Sequence, residues 1–333
     1  MTRLYFLQSN DPTYNLAVEE LLACNATEPV FMLWQNEPSI IIGRHQNTAA
    51  EIDGDFVKRR GIRVVRRITG GGAVYHDLGN INYSVISLRR EWGADSAAHF
   101  TAPIVNALKA LGINAEFSGR NDILANGLKV SGCARSVPKD HTLFHGTLLF
   151  DTDLEILSQA LKPDPDKIIS KGIKSVRARV GNIKEMLPED KASMTMSEFT
   201  RHLLSTTAVF FGGECFQQIP DGLAVEAEAL ANAKYRTWEW NYGSSIAYQV
   251  HKKTRFAGGS IHADFNVGEN RIADLRFTGD FFGSRPVEEL VAKINGLSPN
   301  SENLLKTLSA LPLTEWIAGI SADILAELLT VEQ

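Results

Sequence analysis

Cysteine is scarce: Cys24, Cys133 and Cys215 are the only three in 333 residues, widely spaced and without a CxxC pair. That spacing suggests neither a disulfide framework nor a zinc site. No apolar run reaches the length that spans a bilayer, and the opening MTRLYFLQSNDPTYN holds no apolar segment of signal-peptide length. A cytoplasmic protein with reduced thiols and no membrane contact is therefore expected. Positive charge is not in excess either: the formal net charge is -5, so long polyanions such as nucleic acids are poor partners for the surface as a whole. Repeats and low-complexity tracts are missing, as are the phosphate loops GxxxxGK[ST] and GxGxxG.

What remains is the composition of an ordinary globular enzyme, with 44% hydrophobic and 22% charged residues. The length predicts a large domain plus a smaller one. RLYFLQ, VFMLWQ, SIIIGRH and GIRVVRRI read as short strands, and Leu16, Glu19, Glu20 and Leu22 lie in a helical stretch after SNDPTYN. Phe100, Ile104, Ala107, Leu108 and Leu111 recur at helical spacing and predict an amphipathic helix ending at Gly112. Asn126-Gly127 between two β-type runs is a hairpin signal. Residues 162–182, rich in cations and poor in apolar side chains, read as a mobile loop or lid. Beyond WEWNYG, a cluster suited to packing at a domain junction, come antiparallel strands (247–267 and 271–279) and helices near 286–296 and 302–310. The expected fold is α+β: a large domain of mixed sheets with packed helices over 1–244, a linker at 245–252, and a small α/β C-terminal domain over 253–333.

RRITGGGAVYHDLGN, residues 66–80, sets Gly70, Gly71 and Gly72 between an arginine pair and a His-Asp pair. Backbone without Cβ atoms can take positive φ and approach a ligand to contact distance, and successive amides can cradle an anion. A tight turn would use the same residues, so the glycines alone leave both roles open.

This stretch resembles the signature of lipoate-protein ligases, which share a fold superfamily with biotin protein ligases. NLAVEE (15–20), IIGRHQN (41–47), SGRNDI (118–123), KVSGCA (129–134), HGTLL (145–149), KGIKSVRARVGN (171–182) and WEWNYG (238–243) follow in the family's order and spacing. Position 69 is Thr where Ser is usual, and position 133 is Cys where Ser is more familiar. The resemblance implies a two-step reaction with ATP and Mg²⁺. Lipoate and ATP give lipoyl-adenylate and pyrophosphate; a lysine of an apo lipoyl domain, in a 2-oxoacid dehydrogenase complex or the glycine-cleavage H protein, then attacks the mixed anhydride.

Lys129 is the candidate catalytic cation, because both steps place negative charge on phosphoryl or carbonyl oxygens. A lysine beside a hairpin turn is otherwise a solvated one. By matching positions, Gly70, Gly71 and Gly72, with Ala73 and Tyr75, would pack against the acyl chain and the adenylate, with Arg67 and Thr69 near the head group and His76 and Asn80 beyond the turn. His76 equally suits a satisfied histidine under a hairpin. Asp122 would hold Mg²⁺ or orient Lys129, or simply belong to a turn. Ala134 and His145 would flank the adenylate, His145 from a strand and not as a base. Lys171, Lys174, Arg177 and Arg179 would close around phosphate as a lid. Two rivals stand beside this reading: an ATP-independent octanoyl or lipoyl transferase passing the acyl group through Cys133, and a silent module that binds lipoyl domains.

Overall fold

The structure is a computed structural model that describes residues 1–88, 94–118, 121–138, 141–161, 180–213, 215–242 and 250–331. Its contacts divide the chain into two compact units. Met1–Ile41, Ala49–Arg66 and Ala73–Asn241 form the first; Ile42–Thr48, Arg67–Gly72 and Tyr242–Gln333 form the second. Both mix helices with mainly antiparallel strands, the β1–β2 pair of the first unit being parallel, an α+β architecture. Among the described residues no helix is long and apolar enough to cross a membrane.

In chain order the strands up to residue 149 are β1 (Arg3–Phe6), β2 (Val30–Trp34), β3 (Ser39–Ile42), β4 (Arg63–Arg66), β5 (Val74–His76), β6 (Asn80–Ser87), β7 (Ala115–Ser118), β8 (Asp122–Ala125), β9 (Leu128–Ser136) and β10 (Thr142–Leu149). Seven of them make one sheet in the order β1-β2-β6-β10-β9-β8-β7, and β4-β3-β5 make a small second one. Side chains alternate across a strand. Ile81 and Tyr83 of β6, with Phe144 and Leu148 of β10, therefore enter the core, while Asn80, Asn82, Ser84, His145 and Thr147 point to the other face.

The helix Ala94–Ala110 lays Phe100, Ile104, Ala107 and Leu108 into that core, all almost fully buried. Full burial of such a side chain is worth about 1.5–3 kcal/mol. The chain then turns at Gly112, whose φ of +88° a residue with a Cβ rarely adopts. The helix Met196–Phe210 adds Phe199 and Leu203 to the same core and starts in a capping box, Thr195 with Glu198. The predicted hairpin joins β8 to β9, with φ positive at both Asn126 (48°) and Gly127 (83°), the backbone that a two-residue turn of matching twist needs.

In the second unit, β11 (Val250–Phe256), β12 (Gly259–Gly268) and β13 (Arg271–Gly279) form an antiparallel meander in that order. Ile261, Ala263, Phe265 and Phe277 face Leu290 and Ile294 of the helix Val287–Ile294 and Leu304 and Leu308 of the helix Ser301–Ser309. Those helices were expected from the sequence; a further one, Ala322–Leu329, was not, and it buries Leu325, Leu328 and Leu329 in the same cluster.

Candidate active site

The polar face of the large sheet concentrates the chemistry of the first unit. Asp122 on β8 pairs with Lys129 on β9, Nζ to Oδ1 at 2.7 Å, each side chain about one-third exposed. A Cβ placed on Gly132 would meet the Lys129 Nζ at 3.3 Å, so the glycine leaves the space the ammonium occupies. The Gly132 amide donates to Thr147 Oγ1 at 3.2 Å. Gly181 donates its amide to the Lys129 carbonyl at 3.1 Å, and Val180 bridges to Lys129, so the chain rejoins the described structure beside that lysine. Lys171, Lys174, Arg177 and Arg179 lie outside the described residues.

His145 and Asn80 stand on the same face. The His145 Nδ1 lies 2.8 and 3.0 Å from the two carboxylate oxygens of Glu19, which is fully buried in α1 (Pro12–Asn25). Ser84 donates to the same carboxylate at 2.5 Å and in turn accepts from the Trp34 indole N–H at 2.8 Å. A carboxylate at Nδ1 holds the proton there. Asn36 and Asn82 direct amide nitrogens at Nδ1 of the buried His76, 3.0 and 3.5 Å away, so this ring nitrogen accepts and the proton sits on Nε2. Asn82 also accepts from Asn80, whose own carbonyl oxygen Oδ1 is buried and has no partner among the described residues. A buried acceptor left open in this way calls for a donor from a ligand or a water. The sheet thus brings Asn80, Asp122, Lys129 and His145 to one face, with Ala134 opposite His145 in the β9–β10 pairing.

Cys133 takes the opposite side. It is buried in the core, 3.1 Å from the Tyr83 hydroxyl, and burial pushes its thiol up to about 11. Such a thiol is a poor nucleophile near neutrality. Tyr75, buried in β5, is likewise pushed up to about 12 by burial. Asp77 spans two backbone amides, Gly79 at 2.9 Å and Asp153 at 2.8 Å, and so pins the turn of the signature; burial raises its carboxyl.

The glycine loop belongs to the second unit. The buried Arg67 guanidinium crosses it, donating to Thr69 Oγ1 at 2.9 Å and to the Gly70 and Gly72 carbonyls at 2.8 Å each. Arg67 is thus a strut inside the loop. The three glycines differ. Gly71 has φ +95°, and a Cβ there would meet the Arg67 guanidinium at 3.1 Å and the Phe282 ring at 3.1 Å. At Gly70 a Cβ would collide with the Phe281 carbonyl, and at Gly72 it would meet nothing within 4 Å. Ala73, the next residue, is half-buried at the start of the first unit's next segment.

Sequence reasoning gave Glu19 no role. Its signal was present: a carboxylate one turn from Leu16 and Leu22, on the stripe that α1 buries. Among the described residues no group of three or more His, Cys, Asp or Glu side chains is arranged to hold a metal. Asp122 alone still suits Mg²⁺, which takes one or two carboxylates and completes its shell with phosphate oxygens and water.

Comparison with known proteins gives a consistent result. The profile described as "Lipoyl protein ligase A/B catalytic domain" matches residues 11–208, and "Bacterial lipoate protein ligase C-terminus" matches 245–329. A relative from Staphylococcus aureus, Lipoate--protein ligase 1, is 40% identical over 332 residues, 98% of this chain and 99% of its own length. Among solved structures, P. falciparum LipL1 in complex with lipoate superposes with a TM-score of 0.77 at 28% identity, covering 93% of this chain and 95% of the other. A lipoate-protein ligase A bound with ATP gives 0.61 at 30% identity, over 73% and 98%.

Proposed function

The chain belongs to the lipoyl protein ligase A/B family and is a lipoate-protein ligase, and from that premise we propose that it works by ATP-driven adenylation of lipoate followed by transfer to a protein lysine. In the first step a lipoate carboxylate oxygen attacks the α-phosphorus of ATP, the bond to the β-phosphate oxygen breaks, and pyrophosphate leaves. In the second the neutral amine of the acceptor lysine attacks the acyl carbonyl, AMP departs with the bonding pair, and the ammonium proton passes to solvent.

The observation that carries this reading is Lys129, held by Asp122 and laid over Gly132 on the polar sheet face. A fixed cation there follows the negative charge from the α-phosphate to the acyl carbonyl, the kind of preorganised stabilisation that needs no rearrangement during the reaction. Asn80 offers its open carbonyl to a donor on the nucleotide, while His145, held by Glu19, and His76 with Ala134 line the approach. Backbone groups of Thr69, Gly70, Gly71, Gly72, Ala73 and Tyr75, braced by Arg67, would border the acyl chain. Asp122, together with phosphate oxygens, would hold Mg²⁺, which supplies charge neutralisation of the leaving pyrophosphate. The acceptors are apo lipoyl domains of 2-oxoacid dehydrogenase complexes and of the glycine-cleavage H protein. Residues 1–244 would carry both steps, with 253–333 as an accessory domain.

A transferase route through a Cys133 thioester has the opposite support: the thiol faces the core, and burial keeps it protonated. Intact mass spectrometry of an apo lipoyl domain incubated with the protein, lipoate and Mg²⁺ tests the choice. One lipoyl group should be added only with ATP present, with release of pyrophosphate. Full modification from octanoyl-carrier protein without ATP would establish the transferase instead.

A further inference from the structure

WEWNYG suits packing at a domain junction, yet its hydrogen bonds reach one specific place. Arg66 is the last residue of β4 and the residue immediately before the glycine loop. Its backbone N–H donates to Asn241 Oδ1 at 2.8 Å, and its carbonyl accepts from the Trp240 indole N–H at 2.8 Å. The Arg66 side chain returns the contact: Nε donates to the Trp240 carbonyl at 2.9 Å and Nη2 to the Asn241 carbonyl at 3.1 Å. Side chains of each partner thus bind the backbone of the other, across 174–175 residues of sequence. Arg66 and Asn241 are both buried. Asn241 is itself fixed, donating to the Tyr235 and Thr237 carbonyls at 2.7 and 2.9 Å.

The far side of the clamp rests on α1. The Lys234 ammonium sits 4.1 Å from the Trp240 ring centroid and 2.7 Å from the Glu20 carboxylate, which also accepts from the buried Tyr235 hydroxyl at 2.7 Å. Glu19, the preceding residue, binds His145 and Ser84 on the sheet face. Two adjacent carboxylates of NLAVEE therefore hold two different things: one the catalytic face, the other the root of the glycine loop.

We propose that Arg66, Trp240 and Asn241 are positioning residues that set the glycine loop for substrate. The physical need is clear. Three successive glycines carry the largest backbone entropy of any such run, so ordering them on ligand binding is costly. Arg67 braces the loop from inside and β5 holds its exit by pairing with β3. Its entry has the clamp. Fixing that end before the ligand arrives removes part of the ordering cost from binding. The inference rests on the reading that this loop borders the acyl chain and the adenylate.

Two conservative variants of the full-length protein test it. Trp240→Phe keeps a ring over Lys234 and removes the indole N–H. Asn241→Asp keeps an acceptor for the Arg66 amide and loses the donors to Tyr235 and Thr237. Trp240→Phe should make amides 70–73 exchange hydrogen faster while those of β6 and β10 stay protected. It should raise the lipoate KM about tenfold, the scale of one disrupted buried hydrogen bond, with kcat at saturation within about twofold. Asn241→Asp, whose acceptor for the Arg66 amide loses its anchors on Tyr235 and Thr237, should lower the melting temperature more than Trp240→Phe but speed loop exchange and raise the lipoate KM by a smaller factor. Loop exchange and KM that stay constant in Trp240→Phe, or that simply follow the melting temperature in both variants, would make the clamp ordinary packing. An unaltered protein that does not use lipoate at all would overturn the functional reading, and the exchange measurement would still judge the clamp.

Discussion

The polar sheet face and the glycine loop solve the same problem by opposite means. On the sheet, Asn80, Lys129 and His145 present side chains whose positions are fixed by regular backbone and by partners such as Asp122 and Glu19. The loop presents backbone, and its order comes from the Arg67 strut inside it and from the Arg66 clamp at its root. Charge that must follow a moving electron pair is best delivered by a held side chain. Close approach to a long, featureless acyl chain is best delivered by bare backbone. A mutation should therefore act through charge on the sheet and through shape in the loop.

The largest effect should come from the sheet. Lys129→Ala removes the one charge the reading relies on and should slow pyrophosphate release by about 10²- to 10³-fold, the range of a lost oxyanion donor, with the melting temperature almost unchanged. Normal adenylation by this variant would erase the distinction between the two regions. Next comes the loop, where shape should decide. Gly71→Ala forces a Cβ into a φ of +95° and against both Arg67 and Phe282, and should weaken lipoate binding by about tenfold through local strain of about 1–2 kcal/mol. Gly72→Ala meets open space and should change affinity far less. Calorimetry on both variants checks the order, and equal losses would show that φ and packing are irrelevant there.

Smaller effects probe what holds the sheet face. Glu19→Gln keeps the size of the side chain but cannot hold a proton on His145 Nδ1 as a carboxylate does, and should cost several-fold in kcat with lipoate KM unchanged. A shift in KM alone would move Glu19 from the face to the loop. The smallest effect belongs to Cys133→Ser, which should retain most of the activity because the thiol lies on the core side. Burial lifts this thiol from its ordinary value near 9 to about 11, so the folded state holds the proton more tightly. The stability this contributes is complete below pH 9 and is lost as pH rises from about 9 to about 11. Iodoacetamide at pH 8 should accordingly label the exposed Cys215 and spare Cys133, read by peptide mass. Rapid labelling of Cys133 with loss of ligation would reopen the thioester route.

Much of this is legible in the sequence. Asn126-Gly127 gave the hairpin and the run from Phe100 to Leu111 gave the long helix, because both depend on local φ preference and on one-dimensional periodicity. The order of the signature motifs gave the family. Roles within those motifs were less legible. Arg66 and Arg67 are adjacent and identical in type, yet one locks the loop's root to Trp240 and Asn241 and the other braces its interior. Asp77, beside His76 in the signature, ties down a turn.

Position on β9 shows where sequence stops. Lys129 and Cys133 are four residues apart, and strict alternation along a strand would put them on one face. The pairing of β8 with β9 shifts register between Ile123 and Leu124: Ile123 stands opposite Ser131 and Leu124 opposite Lys129. One extra residue in β9 reverses the alternation. Lys129 then lies over Gly132 on the polar face, and Cys133 turns into the core against Tyr83. The sequence by itself determined which groups were available, a cation, a thiol and three glycines. Only the tertiary structure decided which of them meet, because a bulge is set by how two strands and the core beneath them pack together and by no single residue in either strand.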